Sequence, residues 1–217
     1  MTISTISLTD EATGLPLEKI KEYEVPLEVT FAKQFKNTDI LVFCSTLNNS
    51  NLSKAVCTVV LVGKNSVYYF QKNLKQSDYD NIEITELLTL LHILAEIKDK
   101  SKDSEFRDHF QIGKDRTIRV QINLNNLISK KVIEKTINNQ FIDQHKSYAF
   151  LLELLQTQLN HASQLGIDIK LNYDFQFHEY TIYCNLQCHK VLLNDKITNS
   201  RQIYPIPTKI DRLKHSN

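Results

Sequence analysis

The most constraining feature of the chain is residues 38–94, where β-type runs lead directly into a helical pattern. The segment contains TDILVFCSTLNNS, KAVCTVVLVG and SVYYFQKNL, followed by EITELLTLLHIL. Runs of β-branched residues separated by short polar turns are typical of sequential antiparallel strands, and the apolar spacing that follows is typical of a buried helix. The segment therefore predicts a sheet with a helix packed across it.

Length and composition limit the fold and the class of partner. With 217 residues and 41% hydrophobic content, the chain is long enough for one domain with a substantial core. Lys and Arg number 26 and Asp and Glu 25, so a net charge of +1 produces no overall field toward nucleic acid, membrane or acidic partners. Any basic surface must therefore be local.

The cellular location is predicted from apolar runs and cysteines. The apolar runs are shorter than the roughly 18 residues of a membrane span, and the first residues lack a secretory pattern. The four cysteines are too few and too unevenly spaced for a disulfide framework. We therefore expect a soluble, cytoplasmic protein with no membrane partner.

The remaining patterns predict the other elements and the domain boundaries. The charged segment 98–116 has the composition of a solvated surface loop. We expect an N-terminal β arm or hairpin over 1–37, one main domain over 38–198 and an extended tail over 199–217. Strands are predicted at 39–46, 55–62, 67–74, 117–124 and 167–177, and helices at 84–97, 125–140, 145–165 and 181–194.

This order of elements resembles that of the ribonuclease H-like fold. The resemblance covers residues 38–196 and includes EITELL and FHEYTIYCNLQCH, in which Glu86, His178 and Asn185 match residues of the ribonuclease H pattern. His178 and Asn185 are one residue further apart than in the ribonuclease H pattern. The resemblance implies an α/β protein with a mixed five-stranded sheet flanked by helices, to which the N-terminal β arm is added.

Three metal-binding acids of the ribonuclease H pattern are replaced in this chain. Cys44, Asn125 and His189 occupy their positions. Active members use paired Mg²⁺ or Mn²⁺ ions to cleave phosphodiesters, and such hard cations need carboxylate oxygens. The resemblance therefore implies a degenerate member, with Glu86 and His178 as vestigial catalytic residues and no cofactor.

Three of these positions also have a purely structural interpretation. Glu86 lies in the first turns of a helix, where a carboxylate favours the helix dipole. Cys44 lies on an apolar strand, where a free cysteine packs as a small hydrophobe. Asn125 lies where a strand passes into a helix, and asparagine is a good helix N-cap.

The last helix contains one candidate metal cluster. Cys184 and Cys188 lie four residues apart on one helix face, and His178 and His189 flank them. Thiolate and imidazole are zinc ligands. Because the chain has no second cysteine pair at zinc-knuckle spacing, packing of this face on the sheet is the simpler interpretation, and we expect no metal.

Basic and aromatic residues offer a nucleic-acid-binding hypothesis. Tyrosines would stack on bases and lysines would contact phosphates along one sheet edge. The competing interpretation is an ordinary solvated face with the tyrosines packed beneath it. The residues concerned are Lys64, Tyr68, Tyr69, Lys72, Lys75, Lys130, Lys131 and Lys135.

Three functions remain open from the sequence. We expect a catalytically inactive ribonuclease H-like module that binds RNA, DNA or an RNA–DNA hybrid, or that scaffolds a protein partner. The first alternative is a nuclease with a reconfigured site, in which Glu86, His189 and either Asp39 or another nearby acid hold Mg²⁺ or Mn²⁺. The second is a structural protein–protein interaction domain without nucleic-acid affinity.

Overall fold

A computed structural model describes most of the predicted main domain and a short part of the tail. Residues 1–36 of the predicted N-terminal arm over 1–37 lie outside the described residues, as do the predicted helix at 125–140 and the sites Asn125 and His178. The described residues are 37–49, 54–64, 66–74, 82–124, 146–172, 179–194 and 202–205.

The described strands form one mixed sheet in the order β5-β4-β1-β2-β3-β6. β1, β2 and β3 are joined as sequential antiparallel hairpins, whereas β4 and β5 run parallel to β1 on its other side. This arrangement confirms the predicted ribonuclease H-like architecture. The strands are β1 Ile40–Asn49, β2 Lys54–Val62, β3 Ser66–Leu74, β4 Ile118–Asn123, β5 Ile167–Asn172 and β6 Gln202–Pro205.

The sixth strand is an addition to the five that the sequence predicts. β6 comes from the predicted tail and pairs antiparallel with the first half of β3. Its four residues are too few to show a strand period, and they end in proline. The pairing therefore depends on the edge that β3 offers, which local sequence does not reveal.

Helices cover both faces of the sheet. α1 and α3 pack with the buried residues of one face, which include Leu90 and Leu155, whereas α4 packs on the other face through Tyr180 and Cys184. None of the described helices is both long enough and apolar enough to cross a membrane. The helices are α1 Ile82–Lys100, α2 Ser104–His109, α3 Lys146–Gln164 and α4 Glu179–Asn194.

The predicted surface loop at 98–116 is wrong in one important respect, because it contains the helix α2 and part of the core. Asp103 caps α2 by accepting hydrogen bonds from the backbone N–H groups of Glu105 and Phe106. Phe106 and Phe110 are buried, and their rings stack with centroids 4.4 Å apart. Because charged residues dominate the composition of this segment, composition alone does not indicate that the two phenylalanine side chains are buried.

The β2–β3 turn and α2 are fitted closely to each other. A Cβ atom built on Gly63 would lie 2.6 Å from the ring of Phe110, so only glycine leaves room for this ring. The Ser66 hydroxyl donates a hydrogen bond to the His109 carbonyl at 2.9 Å. α2 therefore covers one end of the core, at the amino-terminal end of β1.

Candidate functional site

The carboxyl ends of β4 and β5 lie beside the middle of β1, which runs parallel to them and continues to Asn49. Phe43 of β1 is in register with Asn123 of β4, which is in register with Asn172 of β5. Ligands of open α/β sheets bind at such carboxyl edges, where strand order reverses. Cys44 lies one residue beyond Phe43, so the sequence-predicted position falls at this edge.

Cys44 is enclosed by the core rather than open to solvent. Its side chain is buried among residues contacting α1. Burial raises the pKa of the Cys44 thiol strongly, and the nearby Cys57, Glu86 and Cys188 raise it further. The thiol therefore stays protonated at neutral pH, and it is neither a nucleophile nor an anionic ligand.

Glu86 is positioned by α1 near Cys44 of β1. Its side chain is half-buried, and its charge acts on Cys44. Paired Mg²⁺ or Mn²⁺ ions need several carboxylate or carbonyl oxygens, and a protonated thiol supplies none. Cys44 and Glu86 therefore do not fit a two-ion site. Within the described ranges, no three His, Cys, Asp or Glu side chains are grouped as metal ligands.

Cys184 and Cys188 face the sheet and are used for packing. The Cys184 thiol donates to the Phe43 carbonyl at 3.6 Å, and the Cys188 thiol contacts the Thr58 hydroxyl at 3.2 Å. Burial raises the pKa of both thiols, that of Cys188 to about 12. These contacts support the packing interpretation of the helix face over zinc ligation.

Asn185 and His189 lie on one flank of α4. Tyr183 contacts Tyr69 of β3 and Gln187 accepts from Gln71 of the same strand, so this side of α4 faces β3. Positions 185 and 189 lie on a different side of α4 from positions 183 and 187. Both side chains are half-buried, and the buried Oδ1 of Asn185 has no hydrogen-bond partner among the described residues.

Asp39, which the nuclease alternative uses as a metal ligand, lies at the opposite edge of the sheet. It precedes β1, and five residues of extended chain, roughly 17 Å, separate it from Cys44. Its carboxylate accepts hydrogen bonds from the Arg119 backbone N–H at 2.9 Å and from the Arg116 guanidinium at 3.1 Å. Asp39 therefore joins β1 to β4 and cannot share a metal with Glu86.

The Asp39 cluster predicts a specific dependence of stability on pH. Burial alone would raise the pKa of Asp39, but hydrogen bonds from Arg119 and the charges of Arg116 and Arg119 lower it below its usual value. The unfolded chain then binds the proton more tightly, so this stabilisation is complete above about pH 4 and is lost as pH falls through the folded pKa.

We expect Asp39→Asn to lower the free energy of unfolding by about 1–3 kcal/mol at pH 7, because hydrogen bonds to a charged acceptor are lost. Urea unfolding at pH 7 and pH 3 measures the effect, and the difference from the parent chain should shrink at pH 3. The exposed Asp115 provides the control as Asp115→Asn. An equal loss of stability at both pH values would contradict the ion-pair assignment.

The predicted base-stacking tyrosines are not available for stacking. Tyr68 is 1% exposed and Tyr69 is 4% exposed, because consecutive strand residues enter the two cores on opposite faces. Lys72 lies 3.3 Å from the Nδ1 atom of His92, and Lys64 is exposed at the hairpin turn. The other lysines of this hypothesis, Lys75, Lys130, Lys131 and Lys135, lie outside the described residues.

A polar face on β4 and β5 is the feature that sequence reasoning missed. Alternate residues of both strands pack into the core on the face of the sheet that α1 covers. The residues between them lie on the other face, where α4 packs mainly over β1 and β2. We name this surface the β4–β5 polar face. Its six residues are Arg119, Gln121, Asn123, Asp168, Lys170 and Asn172.

Side-chain amides of the β4–β5 polar face are connected by hydrogen bonds at the carboxyl ends of β4 and β5. Asn123 donates to the Val42 carbonyl at 3.1 Å and accepts from Asn172 at 2.8 Å and Gln121 at 3.0 Å. These bonds fix the amides as a row that reaches from β1 to β5. The alternation of TIRVQINL was the available signal, since it separates four polar from four apolar positions.

Comparison with solved structures finds ribonucleases H. The N-terminal RNase H domain of a Mycobacterium tuberculosis protein is 12% identical, with 70% of this chain and 92% of that chain covered and a TM-score of 0.45. LC9-RNase H1 is 9% identical over 81% of this chain and 80% of that chain, with a TM-score of 0.46.

A third structure is RNase H1 of Halobacterium salinarum, which is 10% identical over 72% of this chain and 98% of that chain, with a TM-score of 0.42. No family model matches the chain. No curated protein matches it. The fold assignment therefore rests on the sheet order and strand directions.

Proposed function

We propose that this chain is a ribonuclease H-like module that binds nucleic acid without cleaving it. The observation that carries the proposal is Cys44, a buried thiol in the middle of β1 at the position where the ribonuclease H pattern has an acid. Burial raises the pKa of this thiol, so it stays protonated at neutral pH. Two-ion phosphodiester cleavage needs several carboxylate oxygens, and among the described residues no group of three possible metal ligands is present.

The β4–β5 polar face is the proposed binding surface. Its amides donate and accept hydrogen bonds, and the exposed Lys170 adds a cation. Most protein contacts to nucleic acid go to phosphate and sugar, and they come from such amides and cations. Arg119 contributes less to an external field, since Asp39 accepts hydrogen bonds from its guanidinium. We therefore expect weak, sequence-independent binding that depends on salt.

Fluorescence anisotropy with labelled RNA–DNA hybrid, duplex and single-stranded oligonucleotides tests the proposal, in a salt series with Mg²⁺ and Mn²⁺ present. We expect binding that weakens with salt, and intact strands on a denaturing gel. Lys170→Glu should weaken binding and reduce the salt slope by about 1, the value for one lost phosphate contact. Lys102→Glu makes the same charge change at an exposed position after α1.

Three results would overturn the proposal. Cleavage that is lost in Glu86→Ala would establish a nuclease, whereas cleavage that persists in this variant would indicate a contaminant. Equal losses of affinity in Lys170→Glu and Lys102→Glu would place binding elsewhere. Absence of binding at low salt would leave the protein-interaction alternative.

A further inference from the structure

The outer edge of β3 is occupied by a short strand of the chain's own tail. Val67 of β3 is in register with Tyr204 of β6, and Tyr69 with Gln202. β3 is apolar on both faces, with buried side chains from Ser66 to Gln71. A long edge strand of this kind is a template for pairing with another chain unless something covers it.

The hydrogen-bond pattern shows which groups of β3 face β6. The Gly63 N–H donates to the Ser66 carbonyl at 2.8 Å, so the backbone groups of Ser66 point toward β2. Successive residues of a strand point these groups to opposite neighbours. Val67 and Tyr69 therefore point toward β6 and form its hydrogen-bonded pairs with Tyr204 and Gln202.

By the same alternation, the backbone groups of Ile203 and Pro205 in β6 point away from β3. Proline has no N–H, so at position 205 it removes a donor from the new outer edge without weakening the pairing with β3. Proline on the solvent side of an edge strand prevents further strand addition. β6 is therefore suited to end the sheet.

We propose that the outer edge of β3 is a strand-docking site, and that the segment 202–205 is its intramolecular occupant. The recognition is main-chain β-augmentation, in which backbone hydrogen bonds hold an extended peptide on a sheet edge. The site is exchangeable, so the same segment supplied as a separate peptide binds once the tail is displaced. This proposal does not depend on nucleic-acid binding.

Two proline variants of the full chain test the register. Tyr204→Pro removes an inward N–H that pairs with Val67, whereas Ile203→Pro removes an outward one. Amide hydrogen exchange by NMR should become about tenfold faster at Val67 and Tyr69 in Tyr204→Pro, the equivalent of one backbone hydrogen bond. Exchange in Ile203→Pro, and in Tyr204→Ala, which keeps the N–H, should match the parent chain.

A labelled peptide of residues 200–208 should bind Tyr204→Pro, measured by anisotropy, and restore slow exchange at Val67. The parent chain should bind it at least about tenfold more weakly, because its own tail competes for the edge. Equal exchange at Val67 in both proline variants, or fast exchange without peptide binding, would overturn the proposal. If Tyr204→Pro unfolds globally, Gln202→Pro provides the same test at the inward position facing Tyr69.

Discussion

Replacement of Phe106 with alanine should lower the free energy of unfolding by about 3–5 kcal/mol, the usual cost of deleting a buried phenylalanine ring. Phe106 is 1% exposed, and its ring meets Tyr68 edge-on with centroids 5.7 Å apart. It also stacks on Phe110, so its removal leaves two aromatic rings without their shared neighbour. Urea unfolding followed by circular dichroism measures the change.

The adjacent Glu105 supplies the control for this prediction. Its side chain is 79% exposed and lies 3.7 Å from His109 at the surface, so Glu105→Ala should change stability by less than about 0.5 kcal/mol. A loss below about 1 kcal/mol in Phe106→Ala would mean that the segment around α2 is solvated, as its composition alone indicates.

The contrast between Phe106 and Glu105 shows why the sheet was predictable and α2 was not. β2 and β3 span nine residues each, and β-branched and aromatic residues are frequent in β2 and in the first half of β3, so both strands could be predicted from the sequence. α2 has six residues, which is less than two helical turns, and charged side chains surround its single buried residue. One turn cannot display a helical period, so only the packed structure identifies Phe106 as core.

In the same way, some features of the candidate site could be predicted from local sequence, whereas others depend on residues far apart in the chain. The element order places Cys44 and Glu86 near one sheet edge, and in the structure the charge of Glu86 acts on the Cys44 thiol. The role of Asp39 could not be read locally, because its partners Arg116 and Arg119 lie about 80 residues further along the chain. Likewise, the burial of Tyr68 and Tyr69 depends on helices contributed by distant segments.

Restoring an acid at position 44 should destabilise the protein by about 3–5 kcal/mol at pH 7, because Cys44→Asp introduces an unpaired charge into the core. Cys44 is 8% exposed, and the charge of Glu86 already acts on this position. Cys44→Ala, which removes the sulfur without adding charge, should cost only about 1 kcal/mol. The difference between the two variants measures the penalty for the carboxylate.

The pH dependence of Cys44→Asp identifies the cause of this loss. Burial raises the pKa of a carboxylate, so the folded variant binds its proton more tightly than the unfolded chain. Its stability relative to Cys44→Ala should therefore recover as pH falls through the folded pKa toward about 4. If Cys44→Asp were as stable as Cys44→Ala at pH 7, the position would be open to solvent rather than core.

Divalent cations separate a packing position from a latent metal site in the same variant. A bound ion stabilises the folded state according to its concentration and affinity. We expect 10 mM Mg²⁺ or Mn²⁺ to restore less than about 1 kcal/mol to Cys44→Asp, because Glu86 is the carboxylate among the described residues whose charge reaches this position. If Mn²⁺ restored the parent stability to Cys44→Asp and had no such effect on Cys44→Ala, one substitution would be enough to form a metal site. The other groups at this edge would then already have the geometry of metal ligands.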